Sequence, residues 1–269
     1  MRPEIIAHRG ARSLAPENTL LAAKKAYELG ADLWETDIGV SKDGVPILMH
    51  DDALTRTTDA ARRFPGRAPW TFTTFTLEEL KSLDAGSWFL DTDPFGEVAR
   101  GAVSAEEEGG IRGVQIPTLE EALRLTRALG WRVNLELKRQ PPPMEGFPLL
   151  EAVFAVMDAV GIGPDSVVLS SFDLDLMRTA RKMRPEFRVQ AVLGFHRNRP
   201  IDWEAAADFN ELNPRASLTP PAVVERLRKR GKALRPWTVN EVGLARDLIA
   251  AGVAGLFTDY PQRLVPLVG

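Results

Sequence analysis

Short apolar segments alternate with longer segments of helical periodicity along most of this 269-residue chain, and this alternation limits the fold more than any other feature. Such an alternation is typical of parallel strand–helix–strand units. The predicted strands are residues 5–8, 32–40, 45–49, 132–138, 166–171, 188–193, 211–213, 232–239 and 253–258. The predicted helices are residues 18–29, 118–129, 147–160, 173–183, 203–209, 220–230 and 241–251. Eight of the strands can close a TIM (β/α)8 barrel, an α/β fold that commonly takes about 250 residues.

The ninth strand candidate, residues 45–49, fits such a barrel as the return arm of a β-hairpin. Residues 41–44, just before it, carry the Asp-Gly chemistry of a tight turn. A hairpin folded about the midpoint between positions 42 and 43 sets Glu35 opposite His50. This register predicts that both side chains lie at one level of the sheet.

Residues from about 53 to 115 break the alternation. This stretch is rich in proline, glycine and aromatic residues, and only residues 77–83 show a helical pattern. A single barrel connection needs far fewer residues than this. We therefore predict one barrel domain over residues 1–269, with a small inserted subdomain at about 53–115 that follows the hairpin and packs beside the barrel mouth.

Composition and charge exclude several classes of site and partner. The chain has no cysteine, which excludes disulfides, thiolate nucleophiles and cysteine-held metals. The formal net charge of −3 gives no electrostatic footprint for nucleic acid or for an anionic membrane surface. No run approaches the roughly 18 apolar residues of a membrane span, and the first residues lack the pattern of a secretory leader. We expect a cytoplasmic protein with no nucleic-acid partner and no stable membrane association.

Charged residues follow an alternating pattern on two predicted strands. Glu35 and Asp37 are two residues apart and share one strand face, as do Glu136 and Lys138. Two carboxylates buried side by side need a cation or a shared proton, and oxygen ligands suit Mg²⁺ or Ca²⁺. Glu136 would complete such a metal site, with Lys138 contacting an anionic group. The alternative is that both pairs face solvent.

Two of the three histidines stand at predicted strand ends. His8 follows the first strand and His50 follows the hairpin, on the face where barrel enzymes hold their sites. Histidine is well suited to proton transfer near neutral pH, so the pair suggests an acid and a base. Together with a divalent cation and a lysine, these residues indicate phosphoryl chemistry. The third histidine, His196, lies in a basic loop and is expected at the surface.

A series of motifs in the chain resembles the glycerophosphodiester phosphodiesterase family. In chain order the matching segments include His8-Arg9-Gly10, Pro16-Glu17-Asn18-Thr19, Glu35-Thr36-Asp37, His50-Asp51, Glu136-Leu137-Lys138, Trp237-Thr238-Val239-Asn240 and Thr258-Asp259-Tyr260-Pro261. The resemblance spans nearly the whole chain. It implies a barrel with a small insertion after the second histidine. It also implies hydrolysis of a small-molecule glycerophosphodiester to sn-glycerol 3-phosphate and an alcohol.

The resemblance assigns a metal site and a catalytic pair. It implies one divalent cation, Mg²⁺ or Ca²⁺, held by Glu35, Asp37 and Glu136. It implies that His8 and His50 are the catalytic acid and base.

The resemblance also implies substrate contacts. Arg9 and Lys138 are expected to bind the phosphate. Trp237, at a strand end, is predicted to line the substrate pocket, with core packing as the equal alternative. Asp259 is expected to cap the last loop.

Two rival functions remain open on the sequence. One is a lysophospholipase D-type phosphodiesterase on the same barrel, which would need an apolar groove built from Trp70, Phe72, Phe75, Trp88 and Phe89. The other is a non-catalytic barrel that binds phosphoesters, for which loss of a histidine or a carboxylate would be expected. All of those residues are present.

Overall fold

Strands and helices alternate along the chain, which a computed structural model describes from residue 2 to residue 269. Within those residues the strands are β1 Glu4–Ala7, β2 Leu33–Val40, β3 Pro46–Leu48, β4 Val133–Leu137, β5 Val167–Ser171, β6 Arg188–Leu193, β7 Glu211–Pro214, β8 Ala233–Leu234 and β9 Gly255–Thr258. The helices are α1 Leu20–Glu28, α2 Ala60–Arg63, α3 Leu77–Lys81, α4 Ser87–Thr92, α5 Ala105–Ile111, α6 Leu119–Ala128, α7 Leu149–Val160, α8 Leu174–Met183, α9 Pro221–Arg228, α10 Val242–Ala251 and α11 Pro261–Leu264.

Eight parallel strands form the barrel. Their order is β9-β1-β2-β4-β5-β6-β7-β8, and each neighbouring pair in this series is parallel. The two ends of the series meet because Ala254 N donates to Leu234 O (2.8 Å) and Phe257 N donates to Pro236 O (3.0 Å). The predicted (β/α)8 barrel is thus confirmed.

A layer of ion pairs fills the N-terminal end of the barrel. Arg235 lies 2.8 Å from both Glu4 and Glu211. Arg188 also pairs with Glu211 at 2.7 Å, and Arg132 pairs with Glu4 at 2.8 Å. Arg235 is buried and the other four residues are partly buried, so these contacts balance the charges at this end of the barrel. The opposite end of the barrel, at the carboxyl termini of the strands, is open.

Helix caps explain where two of the helices begin. Thr118 and Glu121 form a capping box at the start of α6, with reciprocal bonds of 3.1 and 2.7 Å. Thr19 caps α1 by accepting from Ala22 N (3.1 Å). The residue before it, Asn18, stays outside the helix with φ 55°, and its side chain reaches β2. No helix in residues 2–269 has the length and apolar character needed to cross a bilayer.

The β2–β3 hairpin is present, but its register differs from the predicted one by a residue. Ile38 pairs with Leu48, so the hairpin is centred on position 43 instead of between 42 and 43. The cause is a three-residue loop whose last residue, Gly44, takes a left-handed φ of 81°. The predicted pairing of Glu35 with His50 is therefore wrong.

Residues 203–209 form turns, so the helix predicted there is wrong. Side-chain donors occupy backbone carbonyls that a helix would use. Arg178 donates to Ala205 O (2.7 Å), and Lys232 donates to Ala207 O (2.7 Å). Tertiary hydrogen bonds replace helical ones in this segment.

The region between β3 and α6 folds into the short helices α2 to α5. Its apolar side chains form two clusters apart from the main core, which also include Ile47 of β3 and Leu14 before α1. The first includes Ile47, Leu54, Phe72, Phe75 and Leu80, and the second includes Leu14, Phe89, Val103 and Ile111. The helical pattern at residues 77–83 is confirmed by α3. The delimitation of residues 53–115 as an inserted subdomain stays a prediction.

Candidate metal centre and active site

Three carboxylates converge inside the barrel where β2 and β4 run side by side. Glu35 and Asp37 lie two residues apart on β2, and Glu136 on β4 is the register partner of Asp37. One oxygen from each side chain lies within 4.8 Å of the other two. The two β2 carboxylates are almost fully buried. The alternating strand pattern thus brings the predicted ligand set together, and the solvent-facing alternative is wrong for these residues.

Burial and mutual repulsion act on this cluster. Burial, reinforced by the charges of Asp37 and Glu136, raises the pKa of Glu35 well above its ordinary value. Burial, opposed by the charge of Lys138 and reinforced by Asp37, raises the pKa of Glu136 to about 7. Glu35 Oε1 is buried without a hydrogen-bond partner. A divalent cation would neutralise the cluster and satisfy this oxygen, so the residues fit Mg²⁺ or Ca²⁺.

Asp37 differs from its neighbours because cationic and polar groups surround it. Asn18 Nδ2 donates to Oδ2 at 2.9 Å, and Lys138 Nζ lies 2.8 Å from Oδ1. Arg9 Nε lies 3.3 Å from Oδ2 without the alignment of a hydrogen bond. Burial alone would raise the pKa of Asp37, but Lys138, His50 and Arg9 lower it well below the ordinary value. One member of the cluster is therefore ionised while its two neighbours resist ionisation.

His8, directly after β1, is oriented by a carboxylate that directly follows β9. His8 Nδ1 lies 2.7 Å from Asp259 Oδ1, and Asn240 Nδ2 donates to Asp259 Oδ2 at 2.7 Å. Because an ionised carboxylate only accepts, Nδ1 carries the proton and Nε2 is free to accept one. Burial and the charge of Arg9 lower the pKa of His8 to about 4, so the ring is neutral near pH 7.

His50 has the same kind of support from a different carboxylate. Its Nδ1 contacts Asp51 Oδ1, and Asp51 Oδ2 accepts from Arg56 Nε. Arg56 in turn pairs with Glu17 at 2.7 Å. Despite burial, the bonds from His50 and Arg56 lower the pKa of Asp51. Each of the two histidines thus has a carboxylate on Nδ1, which leaves Nε2 for other contacts.

Arg9 links the metal cluster to the loop after β1. Its backbone N donates to Glu35 Oε2 (2.9 Å), and its NH1 donates to Glu17 (2.8 Å). Arg9 has a φ of 58°, which is unfavourable for a residue with a Cβ and is common at functional sites. Gly10 follows with φ 81°, and a Cβ there would lie 2.6 Å from the backbone of Ala22. The chain can therefore make this tight turn against α1 only with glycine at position 10.

A cavity of about 1700 Å³ opens at the C-terminal ends of the strands. The predicted site residues that line it are His8, Arg9, Glu35, His50, Glu136, Lys138 and Trp237. Asp37 lies behind the wall, in contact with Lys138. Trp237 lines the cavity and also packs against Ile6, Leu33 and Phe257, so it belongs to both the pocket and an apolar cluster. His196 is exposed, as expected.

Two carboxylates at this site have roles that the sequence patterns did not indicate. Asp259, expected to cap the last loop, contacts His8, and Asp51 contacts His50. Barrel closure alone could have predicted the contact between His8 and Asp259, because β1 and β9 are neighbours and the residues that follow them lie side by side. The second carboxylate directly follows its histidine in the sequence.

The aromatic residues of the region between β3 and α6 do not line this cavity in the described part of the chain. Phe72, Phe75 and Phe89 are at most 3% exposed. They pack in the two small clusters of that region instead. The apolar groove that a lysophospholipid tail would need there is not formed by these side chains.

Comparison with known proteins gives the family of the chain. Residues 8–263 match the model of the glycerophosphoryl diester phosphodiesterase family. A glycerophosphodiester phosphodiesterase from Caldanaerobacter subterraneus subsp. tengcongensis is 32% identical over 268 residues, covering 100% of this chain and 98% of that protein. A glycerophosphoinositol inositolphosphodiesterase from Mus musculus is 44% identical over 140 residues, which cover 52% of this chain and 26% of the mouse protein. This match therefore spans about a quarter of the mouse protein's length.

A solved structure agrees with this assignment. The structure of an Oleispira antarctica phosphodiesterase in complex with the product sn-glycerol-3-phosphate is 29% identical to this chain, with a TM-score of 0.78. The alignment covers 98% of this chain and 96% of that one. The barrel, its carboxylate cluster and the family match lead to one conclusion: this chain belongs to the glycerophosphoryl diester phosphodiesterase family.

Proposed function

We propose that this protein is a metal-dependent phosphodiesterase that hydrolyses glycerophosphodiesters to sn-glycerol 3-phosphate and an alcohol. The observation that carries the proposal is one cavity lined by Glu35 and Glu136 of the buried carboxylate cluster and by two carboxylate-supported histidines. Both halves of that arrangement are needed for phosphoryl chemistry, because negative charge must be neutralised and protons must be moved.

Glu35, Asp37 and Glu136 would hold the divalent cation. When bound, Mg²⁺ or Ca²⁺ would supply positive charge to polarise the phosphate. The unpartnered Glu35 Oε1 and the raised pKa values of Glu35 and Glu136 support this assignment.

His8 and His50 would act as the acid–base pair. In the proposed reaction the bond between phosphorus and the alcohol oxygen breaks as phosphorus bonds to the oxygen of water or of the substrate's own hydroxyl group; in the second case water then opens the cyclic phosphate. One imidazole accepts the proton of the attacking hydroxyl group or water, and the other donates a proton to the departing alcohol. Asp259 and Asp51 would position the rings through Nδ1, since a carboxylate at this nitrogen fixes the tautomer and stabilises the charged ring.

Arg9 and Lys138 would contact phosphate oxygens, and Trp237 would form a wall of the substrate site. All three line the cavity. Lys138 also donates to the backbone oxygen of His50 at 3.0 Å, so the ammonium group lies beside the second histidine. A guanidinium and an ammonium group are the side chains best suited to a phosphate.

Relatives support the choice of substrate class. The Oleispira antarctica structure contains sn-glycerol-3-phosphate, and the Caldanaerobacter relative is named for glycerophosphodiesters. The absence of nucleic-acid partners and the cytoplasmic location stay predictions from the sequence.

The test is an assay for glycerol 3-phosphate release from deacylated glycerophosphodiesters, with Mg²⁺, Ca²⁺ or EDTA. We expect activity with at least one metal and none in EDTA. His8→Ala and His50→Ala should each lower kcat by about 100-fold or more. His196→Ala is the matched control and should keep full activity, because His196 is exposed and does not line the cavity.

Two outcomes would contradict the proposal. Full activity in EDTA would show that the reaction does not need the metal, and near-normal kcat in both histidine variants would show that they are not the acid–base pair.

Two other outcomes would favour the rival functions. Choline release from lysophosphatidylcholine, without glycerol 3-phosphate from any deacylated diester, would favour a lysophospholipase D-type activity. Tight binding of diesters by the wild type without turnover would favour the non-catalytic barrel.

A further inference from the structure

The cavity extends beyond the carboxylate cluster to a second, cationic wall after β6 and β7. Arg197 and Arg215 both line this wall. Within residues 2–269 neither guanidinium has a carboxylate oxygen within 4.0 Å. Burial, together with the nearby charge of Arg197, lowers the pKa of Arg215. Two unneutralised guanidinium groups in one cavity favour an anion between or beside them.

Arg215 is held in place without using all of its donors. Its Nε donates to Gly194 O (2.6 Å), and its NH2 donates to Phe195 O (3.1 Å). Its guanidinium carbon lies 4.1 Å from the ring centre of Trp237. The side chain is therefore fixed on an aromatic face while NH1 forms none of these bonds. A fixed guanidinium loses little conformational entropy when it binds an anion.

The acidic residues near this wall do not cancel its charge. Asp175 pairs with Arg178 at 2.8 Å, and Asp173 lies 3.4 Å from Arg139. Glu204 also lines the cavity and forms no ion pair with Arg197 or Arg215.

Asn213, two residues before Arg215, carries an acceptor atom without a hydrogen-bond partner. Asn213 is 1% exposed, lines the cavity, and has an Oδ1 atom without a hydrogen-bond partner. A chain of hydrogen bonds inside the barrel fixes the orientation of this amide. Glu211 accepts from Gln190 Nε2 (2.8 Å), so Gln190 Oε1 is left to accept from Asn213 Nδ2 (2.8 Å). Asn213 Oδ1 is therefore free to accept a hydroxyl hydrogen from a ligand.

We infer that this wall is the subsite for the alcohol of the diester, and that it selects a hydroxylated alcohol carrying its own anionic group. Arg215, assisted by Arg197, would bind the anionic oxygen, and Asn213 Oδ1 would accept from a hydroxyl. The subsite is separate from the two residues assigned to the scissile phosphate, Arg9 and Lys138. This inference rests on the proposed function, because it concerns the group that leaves in that reaction.

The experiment compares kcat/KM for four glycerophosphodiesters that differ only in the alcohol: glycerol 3-phosphate, glycerate, glycerol and choline. The wild type should favour the two anionic alcohols over choline by about tenfold or more, the worth of one charge-assisted hydrogen bond. Arg215→Gln should remove most of that preference and change the glycerol diester by less than about threefold. A phosphate-only or carboxylate-only preference would identify the anion that the wall accepts.

Arg178→Gln is the matched control, since Arg178 lines the same cavity but is neutralised by Asp175 and Asp208. It should leave the order of the four substrates unchanged. Equal kcat/KM for anionic and cationic alcohols in the wild type would overturn the inference, as would an equal loss on all four substrates in Arg215→Gln. If the wild type hydrolyses none of the four, the proposed function fails. Calorimetry of the glycerol 3-phosphate diester with wild type and Arg215→Gln then decides the inference, and equal affinities overturn it.

Discussion

Lowering the pH from 7 to 6 should weaken binding of the divalent cation, because protons and the metal compete for the same carboxylates. A ligand must be deprotonated to bind a metal, so binding releases any proton that the free site holds. Glu35 and Glu136 have raised pKa values in the metal-free site, whereas the pKa of Asp37 is lowered. The first two therefore carry protons that the metal must displace, and the third does not.

The magnitude follows from the pKa of Glu136, which is about 7. Glu136 is half protonated at pH 7 and about nine-tenths protonated at pH 6, so the metal affinity should fall about fivefold from this group alone. Glu35 adds up to about another tenfold if it is fully protonated over the same range. The expected total is a loss of about 5- to 50-fold, close to 1 to 2 kcal/mol.

Isothermal titration calorimetry with Mn²⁺, Mg²⁺ or Ca²⁺ measures this effect directly. Repeating the titration in buffers of different ionisation enthalpy counts the protons released per ion. Glu136→Gln is the matched variant, because it cannot titrate and should show a shallower pH dependence than the wild type. An affinity that does not change between pH 6 and 7, with no proton release, would refute the electrostatic account of the cluster.

Three further changes test other parts of the account. Asp259→Asn should lower kcat by about 100-fold or more with an unchanged melting temperature, because His8 loses the charge that stabilises its protonated ring; normal kcat would remove the positioning role. Gly10→Ala should lower the free energy of unfolding by about 2 to 4 kcal/mol in urea, from a strained φ and a clash with Ala22; an unchanged midpoint would contradict the close packing. Glu35→Gln should weaken metal binding by at least about tenfold in calorimetry, and unaltered affinity would exclude Glu35 as a ligand.

The barrel and the carboxylate cluster were predictable because both follow from simple periodicities. Alternation along a strand puts Glu35 and Asp37 on one face whatever the details of packing. Parallel pairing then brings the equivalent level of β4, with Glu136, beside them. Predictions that depend on residue spacing within one strand needed no knowledge of loops.

Predictions that depended on a loop or on distant side chains were less successful. The hairpin register missed by one residue because the sequence pattern does not distinguish a two-residue turn from a three-residue loop with Gly44 in a left-handed conformation. The helix predicted at residues 203–209 is absent because Arg178 and Lys232, far away in the sequence, bind its carbonyls. The contact between His8 and Asp259 joins the two ends of the chain and depends on barrel closure.

The most direct test of the central claim is anomalous diffraction from crystals of the protein soaked in Mn²⁺. The account predicts one strong anomalous peak in contact with oxygens of Glu35, Asp37 and Glu136. A peak bound by other residues, or a cluster that stays empty at saturating Mn²⁺, would contradict the claim that these three carboxylates form the metal site.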